Sequence, residues 1–308
     1  MQVVDALWRR AKRSRVIPLG PVSMVFRLRR APPLSGNRRR RIVLGFRRWI
    51  GWRYPTYRRL TEPAALPMCA MEKRNAALIV GVGPGLGEAL ACRFAGEGFD
   101  VALASRNATR LHPLVQQLHD GSSRSVRAYA CDASQEGSVA SLFRSMVNDM
   151  DMPDIVVYSL QSFARAKALD VEVSTLEDDW RQNCLGAFIV AREAGRRMVE
   201  RGHGTIVLVG STSGIVARPD HLSLAVGKFG LRALAHVLAR ELGPLGVHVV
   251  HLVIDGDIKE DELHGLHVPQ LEPSHLASLI CSLHDQPRSA WTCELDVRPY
   301  NEKFWEHC

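Results

Sequence analysis

The sequence predicts an α/β fold: a doubly wound parallel sheet of about seven strands with helices on both faces. Three observations predict it. Short apolar segments alternate with segments of helical periodicity from Ala76 onward, a glycine-rich turn follows the first apolar segment, and neither an internal repeat nor a second domain is apparent. Short apolar strands are typical of a sheet buried on both faces, with helices as crossovers between parallel strands. We therefore expect one domain over residues 71–308.

The expected elements alternate along the chain. Each strand is a short, mainly apolar run: Ala76–Gly81, Val101–Ala104, Val126–Ala130, Ile155–Tyr158, Thr205–Val209, Val247–Val253 and Trp291–Val297. The helices, with apolar residues three or four apart, are Gly85–Glu97, Leu111–Leu118, Ser138–Val147, Leu176–Glu200, Leu222–Leu242 and Ser274–Leu283. Leu86, Leu90 and Phe94 show this spacing in the first helix. Asp178 and Asp179 fall near the predicted start of the fourth helix, where acids complement the helix dipole.

The segment over residues 1–70 differs from the rest of the chain in charge. It carries 17 of the 40 Lys and Arg residues and two acids, Asp5 and Glu62, for a net charge of +15. Residues 71–308 then carry 23 basic and 30 acidic residues, or −7, so the formal net charge of +8 describes neither part. Such asymmetry indicates a separate extension, residues 1–70, which we expect to be disordered or to lie upstream of the true start.

Arginines in this extension stand among aromatic residues, as in Arg47-Arg48-Trp49 and Arg53-Tyr54. Basic and aromatic residues together can bind nucleic acid or an anionic membrane surface, and Arg-rich, acid-poor N-termini resemble organellar targeting segments. These alternatives stay open for residues 1–70. The mildly acidic main domain gives no reason to expect a nucleic-acid partner.

Cysteine content and hydropathy favour a cytoplasmic protein. The seven cysteines are odd in number and form no C-x-x-C pair, which suits reduced thiols rather than a disulfide framework. No apolar run reaches the ~18 residues that a membrane span needs, and no signal peptide is apparent. Neither carboxylates nor cysteines accompany the 12 histidines at metal-ligand spacing, so we expect no metal site.

A glycine-rich turn joins the first strand to the first helix. It contains Gly81, Gly83, Gly85, Leu86 and Gly87. Glycines let the backbone turn tightly and approach a pyrophosphate, while N–H groups at the start of the helix hold the negative charge. Because the turn ends a strand, opens a helix and begins an alternating α/β chain, it predicts a dinucleotide site.

The end of the second strand indicates which dinucleotide is bound. An acid there would accept hydrogen bonds from the ribose hydroxyls of NAD. Ser105 stands at the position where this acid is expected, counted along the chain from Gly85. The next residue, Arg106, can pair with a 2′-phosphate through charge-assisted hydrogen bonds. The sequence therefore favours NADP(H) over NAD(H).

These motifs resemble those of the short-chain dehydrogenase/reductase family over about residues 76–297. The glycine turn matches the family's T-G-x-x-x-G-x-G motif with Val80 in place of threonine, whereas Tyr158-Ser159-Leu160-Gln161 matches its N-N-A-G segment poorly. The resemblance implies that Asp132 contacts the adenine ring and that Gly256 and Ile258 belong to a cofactor-binding loop after the sixth strand.

The resemblance also implies a catalytic set made of Asn183, Ser211 and Lys228, with Lys228 bound to the nicotinamide ribose as well. It implies a small-molecule substrate. In this family the two long helices pair subunits, so a homodimer or tetramer is expected.

The family's catalytic tyrosine is absent. The resemblance places Leu224 at its position, because the intervals from Ser211 to Leu224 and from Leu224 to Lys228 are the family's usual ones. Leucine can neither donate nor accept a proton, and losing a general acid typically costs about 10²–10⁴-fold in rate. The other candidate proton sources are Tyr158, His221, Tyr300, and a water molecule held by Asn183 and Lys228.

Three functions fit this pattern. The first is an NADPH-dependent reductase of a small carbonyl compound with a proton source other than tyrosine. The second is a reductase whose substrate, such as an iminium ion, already carries its proton. The third is a catalytically inactive NADP(H)-binding protein that acts as a sensor or partner subunit. The presence of Ser211, Asn183 and Lys228 favours an enzyme.

Overall fold

The structure, a computed structural model, describes residues 75–121, 124–258 and 270–302. The extension over residues 1–70 and the boundary at residue 71 lie outside the described residues and stay predictions. Within the described part, strands and helices alternate as the sequence predicts.

The strands of the main sheet are β1 (Ala76–Val80), β2 (Asp100–Ser105), β3 (Val126–Ala130), β4 (Ile155–Tyr158), β5 (Gly204–Ser211), β6 (Val247–Ile254) and β9 (Glu294–Val297); β7 (Asp257–Ile258) and β8 (Gln270–Leu271) form a separate pair. The helices are α1 (Leu86–Gly96), α2 (His112–Asp120), α3 (Glu136–Asp149), α4 (Val173–Trp180), α5 (Gly186–Arg201), α6 (Leu222–Leu242) and α7 (Pro273–His284). Most bounds lie within two residues of the predicted ones. The last strand begins at Glu294 rather than Trp291.

The main strands form one parallel sheet in the order β3-β2-β1-β4-β5-β6-β9. The chain runs outward from β1 through β2 to β3, then returns to the other side of β1 with β4. The predicted doubly wound fold is therefore confirmed. Ligands of such sheets bind outside the carboxyl ends of the strands, where the strand order reverses.

An apolar layer on each face of the sheet holds the fold together. Helices α3, α5 and α6 pack on one face, and α1, α2 and α7 pack on the other. Successive residues of β1 point into opposite layers. Leu78 and Val80 belong to the layer formed with α3, α5 and α6, and Ala77 and Ile79 belong to the layer formed with α1, α2 and α7. Burial on both faces explains why central strands such as β1 and β4 are continuous apolar runs, and it fixes their register.

The prediction of one continuous helix over Leu176–Glu200 is wrong. A π-helical turn, Arg181–Leu185, separates α4 from α5, and the N–H of Gly186 donates to the carbonyl of Arg181 five residues earlier. Only glycine fits at position 186, because a Cβ there would lie 2.5 Å from the Tyr158 hydroxyl. Such turns are frequent at functional sites, and this one carries the buried Asn183.

The segment Leu222–Leu245, which contains α6, is long and apolar enough to cross a membrane by length and composition alone. Its helix, however, packs against β5, β6 and the π-helical turn. It also buries Lys228 on the face that meets them. These contacts are those of a core helix.

Candidate active site

One large cavity of about 1210 Å³ opens at the carboxyl ends of the central strands. It lies at the switch point between β1 and β4. Its wall contains most of the residues that the sequence predicted for the site: Gly81, Gly83, Leu86, Gly87, Ser105, Arg106, Ser211, Lys228, Gly256 and Ile258. The other three predicted site residues, Gly85, Asp132 and Asn183, do not line it.

The glycine turn forms one wall of the cavity. Gly81 and Gly85 have φ angles of 99° and 83°, in the left-handed region that favours glycine. A Cβ at Gly87 would lie 2.9 Å from the Cα of Val82, so this close approach also needs glycine. Gly85 does not line the cavity, but as the residue before α1 it leaves the first helical N–H groups without a side-chain cap. This helix end suits a phosphate group.

Neighbouring strands hold the glycine turn in place. The N–H of Gly81 donates to the carbonyl of Ala104 at the end of β2 (3.0 Å). From the segment after β4, the N–H of Ser159 donates to the carbonyl of Val80 (2.9 Å), and the Ser159 hydroxyl donates to the carbonyl of Gly81 (2.9 Å). Ser159 belongs to the segment that matches the family's N-N-A-G motif poorly, and it still holds the glycine turn in place.

Two arginines line the cavity beyond the end of β2. The Ser105 hydroxyl donates to the carbonyl of Asn107 (2.9 Å), and the Asn107 side chain accepts bonds from the N–H (3.1 Å) and hydroxyl (2.5 Å) of Thr109. These hydrogen bonds fix the turn after β2, and Arg110 lines the same wall of the cavity as Arg106. The sequence analysis missed Arg110, and its spacing of four residues from Arg106 was the available signal.

Asp132 follows β3 and is not part of the wall. Its carboxylate accepts hydrogen bonds from the N–H (3.0 Å) and the hydroxyl (2.7 Å) of Ser134. Burial alone would raise the pKa of Asp132, but these bonds, together with the positive charge of Arg106, outweigh burial and lower it. The adenine contact predicted for Asp132 stays a prediction.

Lys228 and Ser211 line the cavity at the ends of β5 and β6. Lys228 is 1% exposed, and its Nζ donates to the carbonyls of Val209 (3.1 Å) and Leu160 (3.3 Å). Burial lowers the pKa of Lys228 to about 8. The buried Ser211 hydroxyl has no hydrogen-bond partner within the described ranges. Leu224, one turn before Lys228, is also buried.

The side chain of Asn183 is engaged with protein. Its amide nitrogen donates to the carbonyl of Ser162 (2.6 Å), and its oxygen accepts from the Ser162 N–H (3.1 Å). Asp179 accepts from the Ser162 hydroxyl (2.5 Å) and the N–H of Ala164 (3.1 Å). Asp179 lies in the last turn of α4. The prediction that it interacts favourably with the dipole at the start of a helix is therefore wrong. Both residues fix the segment that carries Leu160.

The other candidate proton donors lie off the cavity wall. Tyr158 is fully buried, its hydroxyl donates to the carbonyl of Gln182, and burial raises the pKa of its phenol. His221 stacks on Phe163 with ring centroids 4.8 Å apart. Tyr300 is 98% exposed. None of these three groups lines the cavity together with Ser211.

The cavity has room for an extended dinucleotide between the glycine turn and the residues Ser211 and Lys228. The glycine conformations, the uncapped helix end and the unpartnered Ser211 hydroxyl all fit such a ligand. These features are those of a dinucleotide-binding site. Residues 75–259 match the family model described as short chain dehydrogenase. The chain therefore belongs to the short-chain dehydrogenase family.

Curated relatives of this chain include named dehydrogenases. D-threitol dehydrogenase of Mycolicibacterium smegmatis is 31% identical over 173 residues, which cover 56% of this chain and 66% of that enzyme, just under two thirds. Sorbitol-6-phosphate 2-dehydrogenase of Escherichia coli is 28% identical over 196 residues, which cover 63% of this chain and 75% of that enzyme.

Solved structures have the same fold. A short-chain dehydrogenase from Rhodopseudomonas palustris has a TM-score of 0.66 at 30% identity, covering 74% of this chain and 100% of that one. An alcohol dehydrogenase from Thermococcus sibiricus, complexed with 5-hydroxy-NADP, has a TM-score of 0.69 at 20% identity, covering 75% of this chain and 99% of that one. The second likeness concerns the fold alone.

Proposed function

We propose that the protein uses NADPH to reduce a small carbonyl or imine-type compound, with a proton source other than tyrosine. The observation that carries this proposal is the buried, unpartnered hydroxyl of Ser211, which lines the same cavity as Lys228. A buried polar group without a partner is costly. A substrate oxygen or nitrogen bound there would satisfy it.

Each group of cavity residues has a role in this proposal. When bound, the nicotinamide ring supplies the hydride for the reduction. The glycine turn and the start of α1 would hold the pyrophosphate, while Gly256 and Ile258 would contact the cofactor after β6. Ser211 would donate a hydrogen bond to the substrate, and Lys228 would bind the nicotinamide ribose. Asn183 would act by fixing the segment after β4.

The test is NADPH oxidation by the full-length protein against a panel of small aldehydes, ketones, diketones and cyclic imines. Binding of NADPH is measured first, by the change in its fluorescence. Oxidation that depends on a panel compound supports the proposed function. Tight binding without oxidation across the whole panel contradicts it and favours a cofactor-binding protein without turnover.

Arg106→Glu is expected to weaken NADPH binding far more than NADH binding. The change replaces attraction to a 2′-phosphate by repulsion, and a lost charge-assisted bond typically costs about 1.5–3 kcal/mol, or about 10- to 100-fold in affinity. Titration of both cofactors measures the effect, and Arg144→Glu, an exposed arginine on α3, is the control. Equal losses for the two cofactors would show that Arg106 does not contact the phosphate.

We further propose a homodimer or tetramer paired through α4, α5 and α6. These helices carry large apolar side chains that are at least 37% exposed: Trp180, Phe188, Val226, Phe229 and Val237. Light scattering at micromolar concentration should give a dimer or tetramer, and Val237→Glu should shift it toward the monomer. Leu169→Glu, at a 99% exposed position outside these helices, should leave the mass unchanged. A monomeric wild type would contradict the proposal.

A cytoplasmic location is also part of the proposal. The five cysteines within the described ranges are free thiols. Burial raises the pKa of the Cys131 and Cys281 thiols, so both are poor nucleophiles. Free thiols in a chain of this length suit a reducing compartment.

A further inference from the structure

The part of the cavity near Ser211 contains few groups that can give up a proton. Among the described residues that line the cavity there is no histidine and no tyrosine. Its carboxylates are Glu88, in the first turn of α1, and Asp257, in β7, and both are exposed to solvent. Two buried titratable groups share the wall with Ser211, Lys228 and Cys131. Burial raises the pKa of the Cys131 thiol, which makes it a poor proton donor.

The hydrogen bonds of Lys228 suit the exchange of one proton. An ammonium group has three N–H donors. Nζ has two acceptors in the described structure, the carbonyls of Val209 and Leu160, so a third donor remains for the cavity. After the loss of one proton, a neutral amine keeps two N–H bonds, which match these two carbonyls. Both protonation states can therefore be fully hydrogen-bonded in place.

The surroundings of Lys228 favour release of the proton near neutral pH. The charged and titratable groups on elements packed against this part of α6 are engaged elsewhere: Asp179 of α4 with Ser162 and Ala164, and His251 of β6 with Glu294. Cys184 of the π-helical turn packs against Gly230. Burial therefore dominates and brings the pKa of Lys228 to about 8, a value suited to a general acid at neutral pH.

We propose that Lys228 is the proton donor of the reduction, and that it protonates a substrate oxygen positioned by Ser211. This inference rests on the proposed NADPH-dependent reduction. As the substrate carbon receives its hydride, the π-electron pair of the C=O bond moves to oxygen and forms an O–H bond with a proton from Nζ. The electron pair of the broken N–H bond stays on nitrogen, and the neutral amine regains a proton from water.

The first test measures the proton on Lys228 directly. The chain has six lysines, so ¹³C labelling of lysine gives a simple NMR spectrum. The signal that disappears in Lys228→Met is assigned to Lys228, and we expect it to titrate near pH 8, well below ordinary lysines. Lys167→Arg, at an exposed lysine, assigns a control signal.

The second test compares this titration with catalysis. An acid must be protonated to act, so wild-type kcat/KM for carbonyl reduction should be constant below the NMR pKa of Lys228 and fall about tenfold per pH unit above it. Lys228→Arg keeps a positive charge but cannot release a proton. We expect it to lose about 10²–10⁴-fold in kcat/KM, while Lys167→Arg retains wild-type kcat/KM. Because Lys228 would also bind the nicotinamide ribose, the variants are compared at saturating NADPH.

Two results would overturn the role of Lys228 and leave the proposed function intact. They are a wild-type pH profile that is flat through the measured pKa of Lys228, and a Lys228→Arg variant with the wild-type rate. If Lys228→Arg does not fold or does not bind NADPH, the wild-type comparison decides alone. If no panel compound is reduced by the wild type, the proposed function fails and the role of Lys228 fails with it.

Discussion

Leu224→Tyr is expected to raise NADPH-dependent reduction of small aldehydes and diketones by about 10²-fold in kcat/KM. The substitution places a phenol one helical turn before Lys228, at the intervals from Ser211 and Lys228 that tyrosine-bearing members of the family have. A neighbouring ammonium group lowers the pKa of a phenol, which makes it a better proton donor near neutral pH. We expect the lower end of the range for a positioned acid, because Lys228 already supplies a proton in the proposed mechanism.

Two controls separate the effect of the new hydroxyl group from the effect of the aromatic ring. Leu224→Phe adds the ring without the hydroxyl and should give no gain, while Lys228→Met in the Leu224→Tyr background should abolish it. The site is fully packed around Leu224, which is 5% exposed, so overpacking is the main structural risk. NADPH affinity and thermal unfolding are therefore measured first. If Leu224→Tyr folds and binds NADPH normally but gains no activity, position 224 is not equivalent to the family's tyrosine position.

Glu294→Gln is expected to lower the free energy of unfolding by about 2–3 kcal/mol at pH 7. Glu294, on the edge strand β9, accepts two bonds from Arg232 (2.7 and 2.8 Å) and one each from His236 and His251 (2.9 Å). Removing one partner of a buried ion pair costs about 3–5 kcal/mol, and we expect less here because 26% of the Glu294 side chain is exposed. The side-chain amide of glutamine would also present N–H donors to His236 and His251, whose own nitrogens donate to Glu294 in the wild type.

The effect should depend on pH. Hydrogen bonds from Arg232, and then from His251 and His236, hold the pKa of Glu294 at about 2, below its usual 4.5. A depressed carboxyl pKa stabilises the fold above the unfolded value, and the stabilisation is lost as pH falls through the folded value. The difference between wild type and Glu294→Gln should thus be complete above about pH 4.5 and shrink toward pH 2.

Urea unfolding of both proteins at several pH values measures this difference. Glu97→Gln is the matched control, because Glu97 pairs with Arg93 at 2.6 Å but the side chains of Arg93 and Glu97 are 43% and 45% exposed. Exposed pairs contribute about 0–1 kcal/mol. Equal effects of the two substitutions would show that the Glu294 cluster does not hold β9 against α6.

The central strands of the fold could be predicted from the sequence because they are buried on both faces. Burial requires uninterrupted apolar residues, and that pattern marked β1, β4 and β6 within one or two residues of their observed bounds. The β7–β8 pair could not be predicted, since each strand has two residues and depends on the other for its pairing. The π-helical turn was missed for a similar reason: the bonds of Asn183 to Ser162 and the fit of Gly186 against Tyr158 are tertiary contacts.

The cavity wall was predictable where backbone geometry demands a residue type. Gly81 and Gly87 follow from a turn that must be tight, and Arg106 follows from its place after β2. The bonds of Asp179 to Ser162 were not predictable, because they join distant positions in the sequence through the packing of a loop on a helix. No periodicity in the sequence signals such a contact.

The π-helical turn also constrains how the chain can change in length. An α-helix advances by about 100° per residue, so the extra residue of this turn sets the rotation of α5 relative to α4. The apolar face of α5, with Ala187, Val190, Ala191 and Ala194, meets the sheet only at that rotation. Deleting one residue from 181–185 would turn this face away from the sheet, whereas exchanging an exposed side chain would not. Along this stretch the number of residues therefore determines which face of α5 meets the sheet.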